Sequence, residues 1–163
     1  MRKVVVTGLG VVTPLGCDCG SFFSNLVQGR SGVRRIDAVY DATLVSPIAA
    51  TVEHFDPGLS WPKTKLVALD RVSQFALIAA GQALADAGLD LSGVNRDRIG
   101  VAVGTGMGGA HTLDDAYHEL YAQGVDRVRP FTLISAMHNA PAANLSIEFG
   151  LRGPSHTNSS ASA

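Results

Sequence analysis

The residues best suited by type and spacing to covalent chemistry are the last eleven, Gly153-Pro154-Ser155-His156-Thr157-Asn158-Ser159-Ser160-Ala161-Ser162-Ala163. They read as a buried strand passing into a run of small residues. Small residues let the backbone turn sharply at a strand end and leave a side chain exposed at the start of a helix. Free N–H groups and the helix dipole there stabilise developing negative charge, so it is a place for a nucleophile. Ser162 is the candidate. A hydroxyl needs an adjacent base to attack, whereas a thiolate forms readily at a helix N-terminus. No Ser-His-Asp order can be assembled from this chain, and His156, on the preceding strand, suits the core as well as a site. The bland alternative is that Ser162 is a small residue in a turn.

A second constellation is Gly104-Thr105-Gly106-Met107-Gly108-Gly109, which fits G-x-G-x-x-G between a predicted strand and a predicted helix. That is the setting of a dinucleotide-binding turn. The acidic residue that should follow a second strand is missing, because Asp126 lies in an Arg- and Gly-containing loop. Gly8-Leu9-Gly10 lacks a third glycine, having Thr13 and Pro14 instead, and a tight turn suffices to explain it.

Four ordered segments carry a resemblance. The tail is similar to the nucleophile motif of the β-ketoacyl synthases, the condensing enzymes of fatty-acid and polyketide synthesis, with Ser162 where that family has its catalytic Cys. The head, Val4-Val5-Val6-Thr7-Gly8-Leu9-Gly10-Val11-Val12-Thr13-Pro14-Leu15-Gly16, resembles the family's opening strand and turn, most of all in the bacterial type II elongating synthases. Arg98 to Gly109 and Glu148 to Ser155 fall between them in the expected order. The resemblance implies an α/β, thiolase-like fold, layered αβαβα, of which residues 1–163 are the N-terminal half-domain, truncated at the start of the nucleophile helix.

For function it implies a 3-oxoacyl-[acyl carrier protein] synthase that performs a decarboxylating Claisen condensation. Acyl carrier protein is then the partner, the assembly is a homodimer or a heterodimer with a ketosynthase, and no cofactor or metal is required. Met107 is placed in the fatty-acyl pocket, and Phe131 and Thr132 in the segment that, with Leu133, reaches across a two-fold interface to wall the partner's tunnel. The same resemblance puts Met137, His138 and Asn139 at that interface. Two histidines and a lysine belong to the other half, so the 163-residue chain alone is expected to be inactive. Three origins of Ser162 stay open: an engineered replacement that stalls the enzyme, a natural partner of the chain-length-factor kind that lost its nucleophile, and a natural serine-using enzyme. A noncatalytic heterodimer partner and a dinucleotide-binding oxidoreductase are the alternative functions.

Composition constrains the remaining classes. Hydrophobic residues make up 46% of the 163 and charged residues only 17%. Such a chain suits a parallel sheet covered by helices and a large partner surface. A net charge of −1, with no stripe of Lys or Arg, argues against nucleic acid. No run approaches the length of a membrane span, and the β-branched head, broken by Gly8, Gly10 and Pro14, reads as a strand and not a secretory signal. Cys17 and Cys19 read as ordinary loop thiols of a reduced, cytoplasmic protein. Arg127, Arg129 and Arg152 could attract an acidic carrier, and Asp114, Asp115 and Glu119 a metal, but solvated faces explain both groups.

The positioning elements follow from periodicity. Strands are expected at Lys3–Gly8, Ile48–Val52, Ile99–Val103 and Ser155–Ser159. Helices are expected at Ser21–Gln28, Leu66–Ala87, Leu113–Ala122 and Ser135–Phe149, closed where Gly29, Gly88 and Gly150 follow. The longest should present Leu69, Val72, Phe75, Ala76, Ala79, Ala80, Ala83 and Leu84 on one face. Residues 30–63 read as a surface excursion.

Overall fold

The computed structural model describes residues 3–36 and 45–160. Ser162, the candidate nucleophile, lies outside the described residues. The first helix, α1 (Cys19–Val27), begins where Asp18 accepts hydrogen bonds from the Ser21 backbone N–H (2.8 Å) and hydroxyl (2.6 Å). The Ser21 hydroxyl and N–H hold the Asp18 carboxyl below its usual range. Gly29 follows in the left-handed conformation that ends many helices.

The excursion contains a short antiparallel pair, β1 (Arg34–Arg35) with β2 (Ile48–Ala49), so the expected strand is shorter than its sequence pattern. Arg71 pins this excursion to the body of the fold. Its guanidinium lies over the Phe55 and Phe75 rings and donates to the Val52 carbonyl. The two rings meet edge to face with centroids 4.8 Å apart.

The long helix is divided. A single turn, α2 (Lys63–Leu66), precedes α3 (Arg71–Asp86), because Asp70 is extended and caps α3 by accepting from the Val72 N–H at 2.9 Å. The most buried positions of α3 are Ser73 and Leu77, not the alanine stripe. Leu77 joins Leu69, Val101, Ala142 and Leu145 in the core. Ala76 and Ala80 pack against this core, as expected, whereas Ala79 and Ala83 meet the N-terminal segment: a Cβ at Gly10 would lie 1.9 Å from the Ala79 carbonyl oxygen, and one at Gly8 2.1 Å from that of Ala83. These glycines therefore serve close packing on α3 and not only a turn. Leu9 N–H and Val11 N–H donate to Asp86 and Gln82, each at 2.9 Å.

Residues 3–8 form no strand ladder, which corrects the expectation for Lys3–Gly8. No described strand lies beside them, and Val4, Val5 and Val6 are 94, 71 and 80% exposed.

The second sheet is parallel. β3 (Val101–Gly104) pairs with β4 (Ser155–Asn158), Val101 opposite Ser155 and Gly104 opposite Asn158. Between them run α4 (Ala110–Tyr117), a π-helical turn at His118–Ala122, α5 (Thr132–Ala136) and α6 (Ala140–Phe149). The expected helix from Ser135 to Phe149 is thus two helices. Pro141 explains the break: it has no N–H to offer a preceding carbonyl, and it suits the first turn of a new helix. Gly150 (φ 62°) closes α6.

We expect Asp70→Ala to lower the unfolding free energy by roughly 2–4 kcal/mol, the loss of one cap and of charge-assisted bonds in a buried place. Urea denaturation of the protein measures it, and Asp70→Asn should retain part of the loss.

Candidate active site

The carboxyl ends of β3 and β4 lie side by side. Thr105 N–H donates to the Asn158 carbonyl (3.0 Å), and the Ser159 hydroxyl donates to the Gly106 carbonyl (3.3 Å). Asn158 turns the chain by accepting from the Ser160 N–H at 2.9 Å. The path toward Ser162 therefore leaves β4 beside the glycine-rich loop that carries Met107. Ligands of parallel sheets gather at this edge.

The glycines of the loop divide into two kinds. Gly104 and Gly106 face open space. Gly108 has φ 59°, and a Cβ there would lie 2.9 Å from the Cα of His138. A Cβ at Gly109 would lie 2.3 Å from the Ser135 carbonyl oxygen. The second pair lets α4 begin against α5. Gly109 also occupies the N-cap of α4, where it has no side chain to cap with.

Asp70 supplies that cap from elsewhere in the chain. Its Oδ2 accepts from Thr112 N–H (2.8 Å) and Thr112 Oγ1 (2.6 Å), while Oδ1 caps α3. Only 3% of Asp70 is exposed. One carboxylate thus satisfies donors at two helix N-termini. The arrangement also bears on the dinucleotide reading: a pyrophosphate at the start of α4 would meet a fixed negative charge where such a ligand needs free N–H groups.

Met107 is 73% exposed on its loop. Thr132 is buried, and Phe131 is 53% exposed beside it. Both border a cleft of about 330 Å3 between α3, α4 and α5, together with Asp70, His111, Thr112 and Arg129. Met107 does not border that cleft, so the structure brings two of the three acyl-pocket candidates together and leaves the third on a separate edge. Along α5, Thr132, Ser135 and Ala136 point inward, while Leu133 and Ile134 are 74 and 60% exposed and Met137 is also open. Ser135 Oγ donates to the Ala68 carbonyl at 3.0 Å, tying α5 to the turn that contains Asp70.

The charged candidates are mostly engaged. Arg129 pairs with Glu119, and Arg152 pairs with Asp97 at 2.8 Å. Asp115 lies 3.7 Å from His111. Among the described residues no three His, Cys, Asp or Glu side chains are grouped as metal ligands, and no helix is long and apolar enough to cross a membrane. Cys17 and Cys19 are free thiols. His156 is exposed on β4, on the same face as Ala102 and Asn158.

The match to known proteins is consistent with this geometry. The model of the β-ketoacyl synthase N-terminal domain matches residues 1–163. The chain belongs to that family. It is 37% identical over 153 residues to 3-oxoacyl-[acyl-carrier-protein] synthase 2 of Coxiella burnetii, covering 94% of this chain and 37% of that protein. The chain thus spans under two-fifths of this curated relative. A solved structure described as the ishigamide ketosynthase/chain length factor superposes with a TM-score of 0.84 at 26% identity, over 96% of this chain and 39% of the other. A β-ketoacyl synthase from Burkholderia phymatum gives 0.76 at 28% identity, over 96% and 38%. The fold is accordingly the thiolase-like α/β fold of the ketosynthases, in its N-terminal domain.

Sequence reasoning missed Asp70 and Thr112. The signal for Asp70 was present, an N-cap residue before an apolar-periodic run, but Leu66 and Leu69 continued the periodicity through it. Nothing local marks Thr112 as its partner, 42 residues away.

Gly109→Ala should destabilise the protein by about 1–3 kcal/mol through overpacking against the Ser135 carbonyl, whereas Gly106→Ala should change stability by less than about 0.5 kcal/mol. Thermal unfolding of the two variants distinguishes them. Titration with NADH, followed by its fluorescence, should show no saturable binding.

Proposed function

We propose that this chain is the acyl-receiving part of a 3-oxoacyl-[acyl-carrier-protein] synthase. The carrying observation is the adjacency of the two parallel strand ends: the segment after β4 leaves beside the Met107 loop, and the tail after it has the small-residue pattern of a nucleophile turn. In this reading an acyl group passes from acyl carrier protein to the residue at position 162. The backbone N–H of that residue contributes to the oxyanion hole. Met107, Phe131 and Thr132 form part of the acyl pocket, the last two acting across a two-fold interface. That division suits Met107 and Phe131, both exposed and on different edges of one chain, while Thr132 is buried on α5.

Condensation also needs groups that decarboxylate malonyl-carrier and steady the resulting enolate. Residues 1–163, as the N-terminal half-domain, do not provide the two histidines and lysine to which the family resemblance assigns that work. The chain alone is therefore inactive, and the working assembly is a dimer of longer subunits. The exposed apolar residues of α5 suit such an interface. The protein operates in the cytoplasm, where Cys17 and Cys19 stay reduced. It uses no cofactor or metal.

A second reading is favoured by one residue. Ser162 stands where the family nucleophile is Cys, and the hydroxyl lacks the thiolate's ready ionisation. A chain-length-factor-like subunit paired with an active synthase would tolerate that change.

Radiolabelled malonyl-carrier and acyl-carrier distinguish the two readings. Ser162→Cys in the protein should raise condensation over the parent by about a hundredfold or more, in line with replacing a weak nucleophile by an activated one. No gain, with activity appearing only when a separate ketosynthase is added, establishes the noncatalytic partner. Turnover by residues 1–163 alone would refute the assignment of the remaining catalytic groups to other polypeptide.

A further inference from the structure

We propose that Asp70 and Thr112 are positioning residues for acyl-chain selection, acting through the Met107 loop. The inference rests on the acyl-pocket reading of Met107 given above. Met107 is 73% exposed, so packing of its own side chain does little to place it. Its position is set by what holds the loop at its two ends. On the strand side, Thr105 N–H is fixed to the Asn158 carbonyl, and Thr105 Oγ1 accepts from the Gly108 N–H at 3.1 Å. On the helix side, Gly109 N–H donates to the Ala136 carbonyl at 3.2 Å. Gly109 cannot cap α4 itself, so the first turn of that helix is fastened by Asp70 through both donors of Thr112.

The same turn of chain fastens α5, through the Ala68 carbonyl and Ser135 Oγ. Residues 68–70 thereby set the start of α4 and the end of α5 against one another. Loosening the Asp70–Thr112 tie frees the first turn of α4 to shift, and Met107, three residues before Ala110, shifts with it. Chain-length preference is a property of that position, while the overall fold survives on the remaining contacts. The Thr112 hydroxyl is the member to remove, because Thr112→Val is nearly isosteric and leaves the backbone N–H bond to Asp70 in place.

The test is calorimetric titration of the protein with the thioethers S-octyl-pantetheine and S-hexadecyl-pantetheine, which carry no acyl group to transfer, so that binding alone is read. The quantity is the ratio of the two Kd values. Thr112→Val should change the ratio by about threefold or more, a usual size for a variant acting through a neighbouring element. Thr112→Ser, which keeps the hydroxyl, should hold the parent ratio. Met107→Ala should change the ratio by about tenfold, and adding Thr112→Val to it should bring little further change, as expected of coupled positions. A Thr112→Val protein with a lowered Tm and the parent ratio, alongside an altered ratio in Met107→Ala, overturns this inference and leaves the acyl pocket standing. If neither pantetheine binds, or Met107→Ala leaves the ratio unchanged, the acyl-pocket reading falls and this inference with it.

Discussion

The buried carboxylate of Asp70 is the interaction on which the rest of the arrangement depends. Its two oxygens accept from Val72 on one helix and from Thr112 on another. Both helix starts carry the positive end of a helix dipole, so the negative charge is favoured twice. The economy is forced by packing. The glycine at the start of α4 must lack a side chain to approach Ser135, and a helix start without a local cap leaves buried donors that need another partner.

From that point the site is built outward. Helix α3 sits near the centre of the described structure and is used on several sides. Ser73, Leu77, Ala76 and Ala80 face the core, Phe75 meets Phe55, and Ala79 and Ala83 receive the glycines of the N-terminal segment. The parallel pair of β3 and β4 then brings the Met107 loop beside the segment leading to position 162. Parallel strands need a long crossover, and here the crossover contains the same α4 and α5 that border the cleft.

The surfaces left open are as informative as those that are filled. Val4, Val5 and Val6 are apolar and exposed. The face of β3 and β4 that carries Ala102 and His156 is also open, although parallel sheets are ordinarily covered on both sides. Together with Leu133, Ile134 and Met137 these account for a hydrophobic content of 46% in a chain whose own core is small. Much of the apolar surface in this sequence suits burial against polypeptide beyond the described residues.

Local features were legible in the residues themselves. The helix ends at Gly29, Gly88 and Gly150, the two strands expected at 99–103 and 155–159 and found at 101–104 and 155–158, and the order of the four family segments all depend on neighbours in the chain. What needed the fold were the relations between distant segments. Periodicity ran α2 into α3 because the apolar spacing continues through Asp70, and the extended backbone there is tied to α4, far along the chain. Periodicity likewise joined α5 to α6, although Pro141 marked the break. The glycines of residues 8–10 and 104–109 were legible as special positions, but not what would press against them. A sequence states which residues can turn, cap or pack closely, because those are properties of a side chain or its absence. Which of these capacities is used depends on which segments converge, and convergence is decided by the packing of the whole chain.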